Sequence, residues 1–241
     1  MLKPLSYLPY FIDLNGKALP VWNSLNLITG LGKWAFGGGS FSRDVLQATW
    51  KPVWNGMKID AGMFVFDNPF QAFSRWTWEL PQSLIGNAWS SARNVAGYVD
   101  QIKYYRGATF IIHDNSSKHR GITLGNYINM DIDYEYTKER FEPKWNDNKF
   151  TPIADNMMMH EYGHFLQSQR IGFFYLSAVG IPSLINRLGW IGGDKDRFYT
   201  EKWANNLAYD FFVGKEHGGS NGWDFGKYPI DNQGEKEPWV R

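Results

Sequence analysis

The chain has 241 residues, with 25 Lys plus Arg against 24 Asp plus Glu, so its formal charge is near neutral. That balance gives no whole-chain reason to expect nucleic acid or an anionic membrane as a partner. Cysteine is absent, which excludes disulfides, thiolate metal ligands and a cysteine nucleophile, and leaves His, Asp and Glu to build any tight transition-metal site. Aromatic residues make up 17% of the chain and include 12 Trp, a richness that favours an ordered core.

The opening stretch MLKPLSYLPYFIDLNGKALP has one early lysine and is broken by prolines and Asp13, which makes it a poor signal peptide. No run approaches the ~18 consecutive apolar residues of a membrane span. Residues 1–43 read as an extension or linker closing on Gly37, Gly38 and Gly39, a glycine run without the Lys-Ser/Thr ending of a phosphate loop. Residues 44–241 read as one enzyme-sized domain.

Within that domain, NPFQAFSRWTWELPQSLIGNAWSSARNVAGYV (residues 68–99) spaces its apolar side chains as helices do, and Pro81 is placed to start the second of two helices. Two β-rich runs follow, Ala108 to His113 and Ile122 to Met130, and the polar stretch DNSSKHRG between them predicts a hairpin. In MDIDYEY, Asp131, Asp133 and Glu135 alternate with apolar neighbours. The glycine and spacing of an EF-hand loop are missing, so the pattern predicts a solvated acidic strand face.

A helix of about four turns is predicted from Asp155, a good N-cap, to Gly172, a good C-cap. Pro182 then divides LSAVGIPSLINRLG, Thr200 caps a helix running through Phe212, and a turn-rich tail follows from Gly214 to Arg241. The elements add up to an α+β fold: a helix pair and a small, mostly antiparallel sheet packed on the helix of residues 155–172, with a C-terminal helical part.

The chemistry lies in MMMHEYGHFLQSQ, residues 157–169. On a helix, residues i and i+4 lie about 6 Å apart along the axis and on one face, so His160 and His164 point the same way and can converge on one zinc ion. Glu161 is the neighbour of the first ligand and can reach a water on that ion as general base and acid, the H-E-x-x-H arrangement. The flanks Met157, Met158, Met159, Phe165 and Leu166 are apolar, as on a helix in a domain centre. Gly163 costs about 1 kcal/mol in such a helix and predicts a close approach by another backbone or side chain.

A third ligand has to come from another element. Gln167 and Arg170 stand where the metzincin pattern needs Gly and His. Glu201 in TEKWAN is the better candidate, on a second helix where Ala204 permits close approach and Asn205, one turn on, can orient a histidine. Asp194 and Asp196 are the fallback ligands, with His113, His119 and His217 behind them. Two further readings stay open: a structural zinc in a non-catalytic binding or delivery module, and a zinc hydrolase acting on a non-peptide amide or ester.

Two histidines, a glutamate and an open fourth position resemble the thermolysin-type metallopeptidases (gluzincins). That resemblance implies a zincin-like fold for residues 44–241, a peptide or protein substrate, and an edge strand, here within GITLGNYI, on which the substrate lies. It also asks for an oxyanion donor, for which Tyr199, Tyr209 and His217 are the alternatives.

The blocks SRWTWELPQSLIGNAWSSARNVAGYVDQIKYYRGATFII, GITLGNYINM, HEYGHFLQSQRIGFFYLSAVGIPSLI and YTEKWAN occur in an order that resembles the C-terminal domains of Rhs-repeat-associated proteins of Bacteroidetes. The resemblance covers roughly residues 60–212, and Gln167, Ser168, Pro182 and Ser183 have no generic reason to accompany a zinc motif. NKFTPIADNMMM, before His160, is longer and more polar than the Asp-Pro-containing approach of that group. The resemblance implies a toxin-like effector domain, secreted or delivered to a target cell within a larger polypeptide and paired with an immunity protein.

Overall fold

The computed structural model describes residues 44–115, 120–133, 156–190 and 198–212, so the extension of residues 1–43 and the tail from Gly214 lie outside it. Its described part is α+β. The chain enters through α1 (Asp44–Ala61), a 3-10 turn (Gly62–Phe64), α2 (Pro69–Trp76) and α3 (Leu80–Val95), and then forms β1 (Gln101–Tyr105), β2 (Ala108–Asp114), β3 (Arg120–Leu124) and β4 (Tyr127–Ile132). It continues through α4 (Asn156–Ile171), a 3-10 turn (Gly172–Phe174), a π-helical turn (Leu176–Gly180), α5 (Ile181–Arg187) and α6 (Tyr199–Phe211). No described helix is long and apolar enough to cross a membrane.

The expected helix pair is α2 and α3. The Asn68 side chain accepts from the Gln71 amide and caps α2, while Pro81 sits in the first turn of α3, where its missing N–H costs nothing. The sequence reading assigns no element to residues 44–67; α1 runs through most of them, with Pro52 inside it. The C-terminal helix starts one residue before Thr200, with Phe198 at the cap position and no side-chain capping bond. Thr200 is therefore inside α6, and its hydroxyl serves a different purpose, described below.

The sheet differs from the predicted hairpin. Its order is β1-β2-β4-β3, with β1–β2 and β3–β4 antiparallel and the central β2–β4 pair parallel. The second predicted run, Ile122 to Met130, is broken at Gly125 (φ +61°) and Asn126, so it is itself the β3–β4 hairpin. The sheet is mixed. Its inner strands are largely buried on both faces because both faces are covered: on one, Phe110, Ile112, Ile128 and Met130 pack with Met158, Tyr162 and Phe165 of α4 and Phe211 of α6. From the opposite face, Ile111 and Tyr127 meet Ile59, Met63 and Ile102. Each fully buried large apolar side chain contributes roughly 1.5–3 kcal/mol, so this double core fixes where α4 and α6 lie.

Asp131 corrects the reading of a solvated acidic face. It is 3% exposed and bonds Arg93 at 2.5 Å and Arg120 at 2.7 Å; Asp133 follows β4 directly, and Glu135 lies outside the described residues. Burial opposes ionisation of Asp131, but the bonds from Arg120 and Arg93 outweigh it and hold its carboxyl below the ordinary value. A depressed folded-state pKa stabilises above the unfolded value and the contribution disappears as pH falls. Asp131→Asn is thus expected to cost about 2 kcal/mol at pH 7, with the gap narrowing toward pH 3. Denaturant melts of both proteins at the two pH values check this, and equal stability at neutral pH would refute it.

Candidate metal centre

His160 and His164 lie on α4 and Glu201 on α6, and these two helices approach closely at Gly163 and Ala204. A Cβ on Gly163 would lie 2.1 Å from the Ala204 carbonyl oxygen, so the close approach expected from this glycine is met by the backbone of α6. That approach brings Glu201 Oε2 to 3.0 Å from His160 Nε2 and 3.2 Å from His164 Nε2. All three residues are buried, and their donor atoms lie within 4.8 Å of one another. Ligands at ~2.0–2.1 Å around a tetrahedral ion are about 3.3 Å apart, so these two separations suit a cation held between the three groups.

The protons point the right way for this. Gln167 Nε2 donates to the Thr200 carbonyl at 2.7 Å, which turns Gln167 Oε1 to His164 Nδ1, also at 2.7 Å. Asn205 Oδ1 accepts from His160 Nδ1 at 2.7 Å. Each neutral ring therefore carries its proton on Nδ1 and offers the lone pair of Nε2 toward Glu201, as metal-binding histidines do.

The electrostatics agree. Burial works against ionisation of Glu201, yet the two imidazoles outweigh it and hold the carboxylate far below its usual range. In His164, burial disfavours the charged ring, but Glu201 outweighs it and raises the pKa to about 9. A cation bound here takes the place of that second proton, so its affinity falls in acid.

Glu161 is 3% exposed and lies against the edge strand. Thr123 Oγ1 donates to Glu161 Oε2 at 2.6 Å, while a Cβ on Gly121 would lie 2.4 Å from Glu161 Cγ. The strand thus holds this carboxylate by one hydroxyl and by the space that a glycine leaves. A cavity of about 310 Å³ opens beside it, with Glu161, His164 and Glu201 in its wall together with Ile122, Leu176, Ile181 and Leu184. The edge strand expected in GITLGNYI is β3 alone, since β4 is an inner strand.

Other sequence candidates fall elsewhere. His113 bonds Asp100 at 2.9 Å and packs edge-on to Tyr98, outside the histidine–glutamate group. Asp155, Asp194, Asp196, His119 and His217 lie outside the described residues. Neither tyrosine proposed as oxyanion donor lines the cavity: the Tyr199 hydroxyl donates to the Ala178 carbonyl at 2.6 Å, and Tyr209 packs against the core. Tyr175 lines it instead, and its hydroxyl donates to the Thr123 carbonyl at 3.1 Å. Burial, then the charges of Glu161 and Glu201, push its pKa well up, so it stays a donor.

Sequence reasoning missed Thr123, Tyr175 and the orienting role of Gln167. The signal for Gln167 was present, since a side chain three residues after His164 shares its helix face. Ser168, flagged with it, joins Glu79 Oε1 at 3.2 Å and Gln82 Nε2 at 3.3 Å, tying α4 to the helix pair. No protein family, no curated protein and no solved structure matches this chain.

Proposed function

We propose that the chain is a zinc-dependent metallopeptidase with a gluzincin-like site on a zincin-like fold. The observation that carries this reading is the convergence of His160 Nε2 and His164 Nε2 on one oxygen of Glu201, with the Glu161 carboxylate in the wall of the same cavity. Zn2+ bound there would supply Lewis acidity to a water and to a substrate carbonyl. Glu161 is the general base and acid: Thr123 occupies its Oε2, and Oε1 accepts no hydrogen bond from the described residues, which leaves it to receive a proton and return it to the leaving amine. Tyr175, whose hydroxyl proton goes to the Thr123 carbonyl, is the hydroxyl in the cavity wall that could turn to donate to an oxyanion.

An apolar cavity flanking an edge strand suits a peptide, whose main chain pairs with β3 while a side chain enters the cavity. A structural zinc would be closed by four protein ligands; among the described residues the cluster has three, and the chain has no cysteine. The same catalytic groups would also cleave a non-peptide amide or ester, and the strand beside Glu161 is what favours peptides. From the resemblance of residues 60–212 to Rhs-associated C-terminal domains, we further propose an effector role, delivered within a larger polypeptide, with a cognate immunity protein as partner and no nucleic-acid partner.

Elemental analysis of the purified chain tests the metal, and mass spectrometry of a peptide library incubated with it tests the reaction. About one zinc per chain is expected, lost or sharply weakened in His160→Ala and Glu201→Ala, together with peptide cleavage that disappears in both variants. A wild-type chain that neither contains zinc nor gains it on titration would overturn the proposal, and one that binds zinc but cleaves only non-peptide amides or esters would move it to the other substrate class.

A further inference from the structure

Glu201 has two oxygens, and the structure uses them differently. Oε2 faces both imidazoles, whereas Oε1 accepts from Ser183 Oγ at 2.7 Å and from Thr200 Oγ1 at 3.1 Å. The two hydroxyls also lie 2.7 Å from each other. They carry two protons between them, so even when one hydroxyl donates to the other, a charge-assisted bond remains on Oε1. We propose that Ser183 and Thr200 hold Glu201 as a one-oxygen metal ligand, which makes Ser183 a positioning residue of the centre. This assignment rests on the metal reading of the site.

Carboxylates bind cations through one oxygen or through both. A Glu201 side chain with nothing on Oε1 could rotate to present both, raising the ligand count and taking the place a reacting water needs. The hydroxyl pair removes that freedom without adding a charge. Thr200 also joins the other half of the centre, since its carbonyl receives Gln167 Nε2 and so fixes the amide that orients His164. Ser183 arrives from α5, the helix whose Ile181 and Leu184 wall the cavity. The position of the cavity wall and the posture of the metal ligand are thereby set by one short helix, and Pro182 in its first turn helps to define where that helix begins.

The test uses the full chain as wild type, Ser183→Ala, Ser183→Thr, Thr200→Val and the Ser183→Ala/Thr200→Val pair. Zinc affinity is read by competition with a chromophoric chelator, and the number of light-atom neighbours by X-ray absorption at the zinc edge. Ser183→Ala is expected to stay folded and bind one zinc about 10–100-fold more weakly. Its neighbour count should rise by a fraction of an oxygen, since Thr200 still reaches Oε1, and by a full oxygen in the double variant, where Glu201 is free to turn both oxygens inward. Ser183→Thr restores both readouts, and the double variant exceeds the single one. Ser183→Ala and double variants with wild-type affinity and an unchanged neighbour count would overturn the assignment while leaving the metal reading intact. A wild type that takes up no zinc would overturn both. Ser183→Ala is the gentlest change in the series, so a double variant that fails to fold leaves the comparison of Ser183→Ala with Ser183→Thr decisive.

Discussion

Glu161→Gln is expected to keep the fold and the metal and to lose about 10³-fold in hydrolytic rate. The substitution is nearly isosteric, and the Thr123 hydroxyl that now donates to Glu161 Oε2 can donate equally to an amide oxygen. Gly121 leaves room for either side chain, because its missing Cβ is what admits the Glu161 Cγ, Cδ and Oε1 atoms. What the amide cannot do is take a proton from water and hand it on. Glu161 also makes no contribution to the ligand cluster, which consists of His160, His164 and Glu201, so zinc content should stay at the wild-type level. The measurement is rate on any substrate that the wild type cleaves, beside elemental analysis of the same preparations. Full activity with full metal would remove Glu161 from the mechanism; lost activity with lost metal would instead make it a structural support of the centre.

Gly163→Ala is expected to damage stability and metal binding together. On an isolated helix the change would gain about 1 kcal/mol. Here the new methyl would sit 2.1 Å from the Ala204 carbonyl oxygen and 2.7 Å from its carbonyl carbon, and backbone cannot swing aside as a side-chain tip does. Either α4 and α6 separate or one of them bends, and overpacking of this kind costs roughly 1–3 kcal/mol. Since the nearest atoms belong to a helix backbone, we expect a net loss near the top of that range, about 2–3 kcal/mol. In a chain of this size that lowers the melting temperature by roughly 4–12 °C. Separation also carries Glu201 away from both imidazoles, so zinc affinity falls in the same variant. Thermal melts and chelator competition check the two effects, and a Gly163→Ala protein with unchanged melting temperature and affinity would contradict the close helix contact.

How much of this was legible in advance follows the range of the forces involved. His160 and His164 could be placed on one face from their spacing, because the helical repeat is local. Gly163 and Ala204 announced close packing, and Asn205 one turn after Glu201 announced a bond to a histidine, which His160 receives at 2.7 Å. The helix pair and the end of α4 at Gly172 (φ +53°) were readable for the same reason, since caps and prolines act on their immediate neighbours.

Strand order was not readable. The run from Ile122 to Met130 hides a turn at Gly125 and Asn126, and nothing in it states that β4 pairs in parallel with β2. That choice depends on which faces the helices cover, a matter of packing between segments far apart in sequence. Asp131 misled for a related reason: alternation shows that a residue points away from its neighbours, but in a sheet covered on both sides neither direction need be solvent. The roles of the Thr123, Ser183 and Thr200 hydroxyls were equally hidden: Ser183 stood out only as part of a shared block and Thr200 only as a helix cap, because a hydroxyl gains meaning from the oxygen that it reaches.

The sequence by itself therefore determined the helix that carries His160, Glu161 and His164, and the short list from which a third ligand could come. Only the tertiary structure decided that Glu201 meets both histidines through one oxygen, and that the edge strand holds Glu161. Helical periodicity acts over a few residues and is written in them, whereas these contacts require α4, α5, α6 and β3 to arrive together at one place.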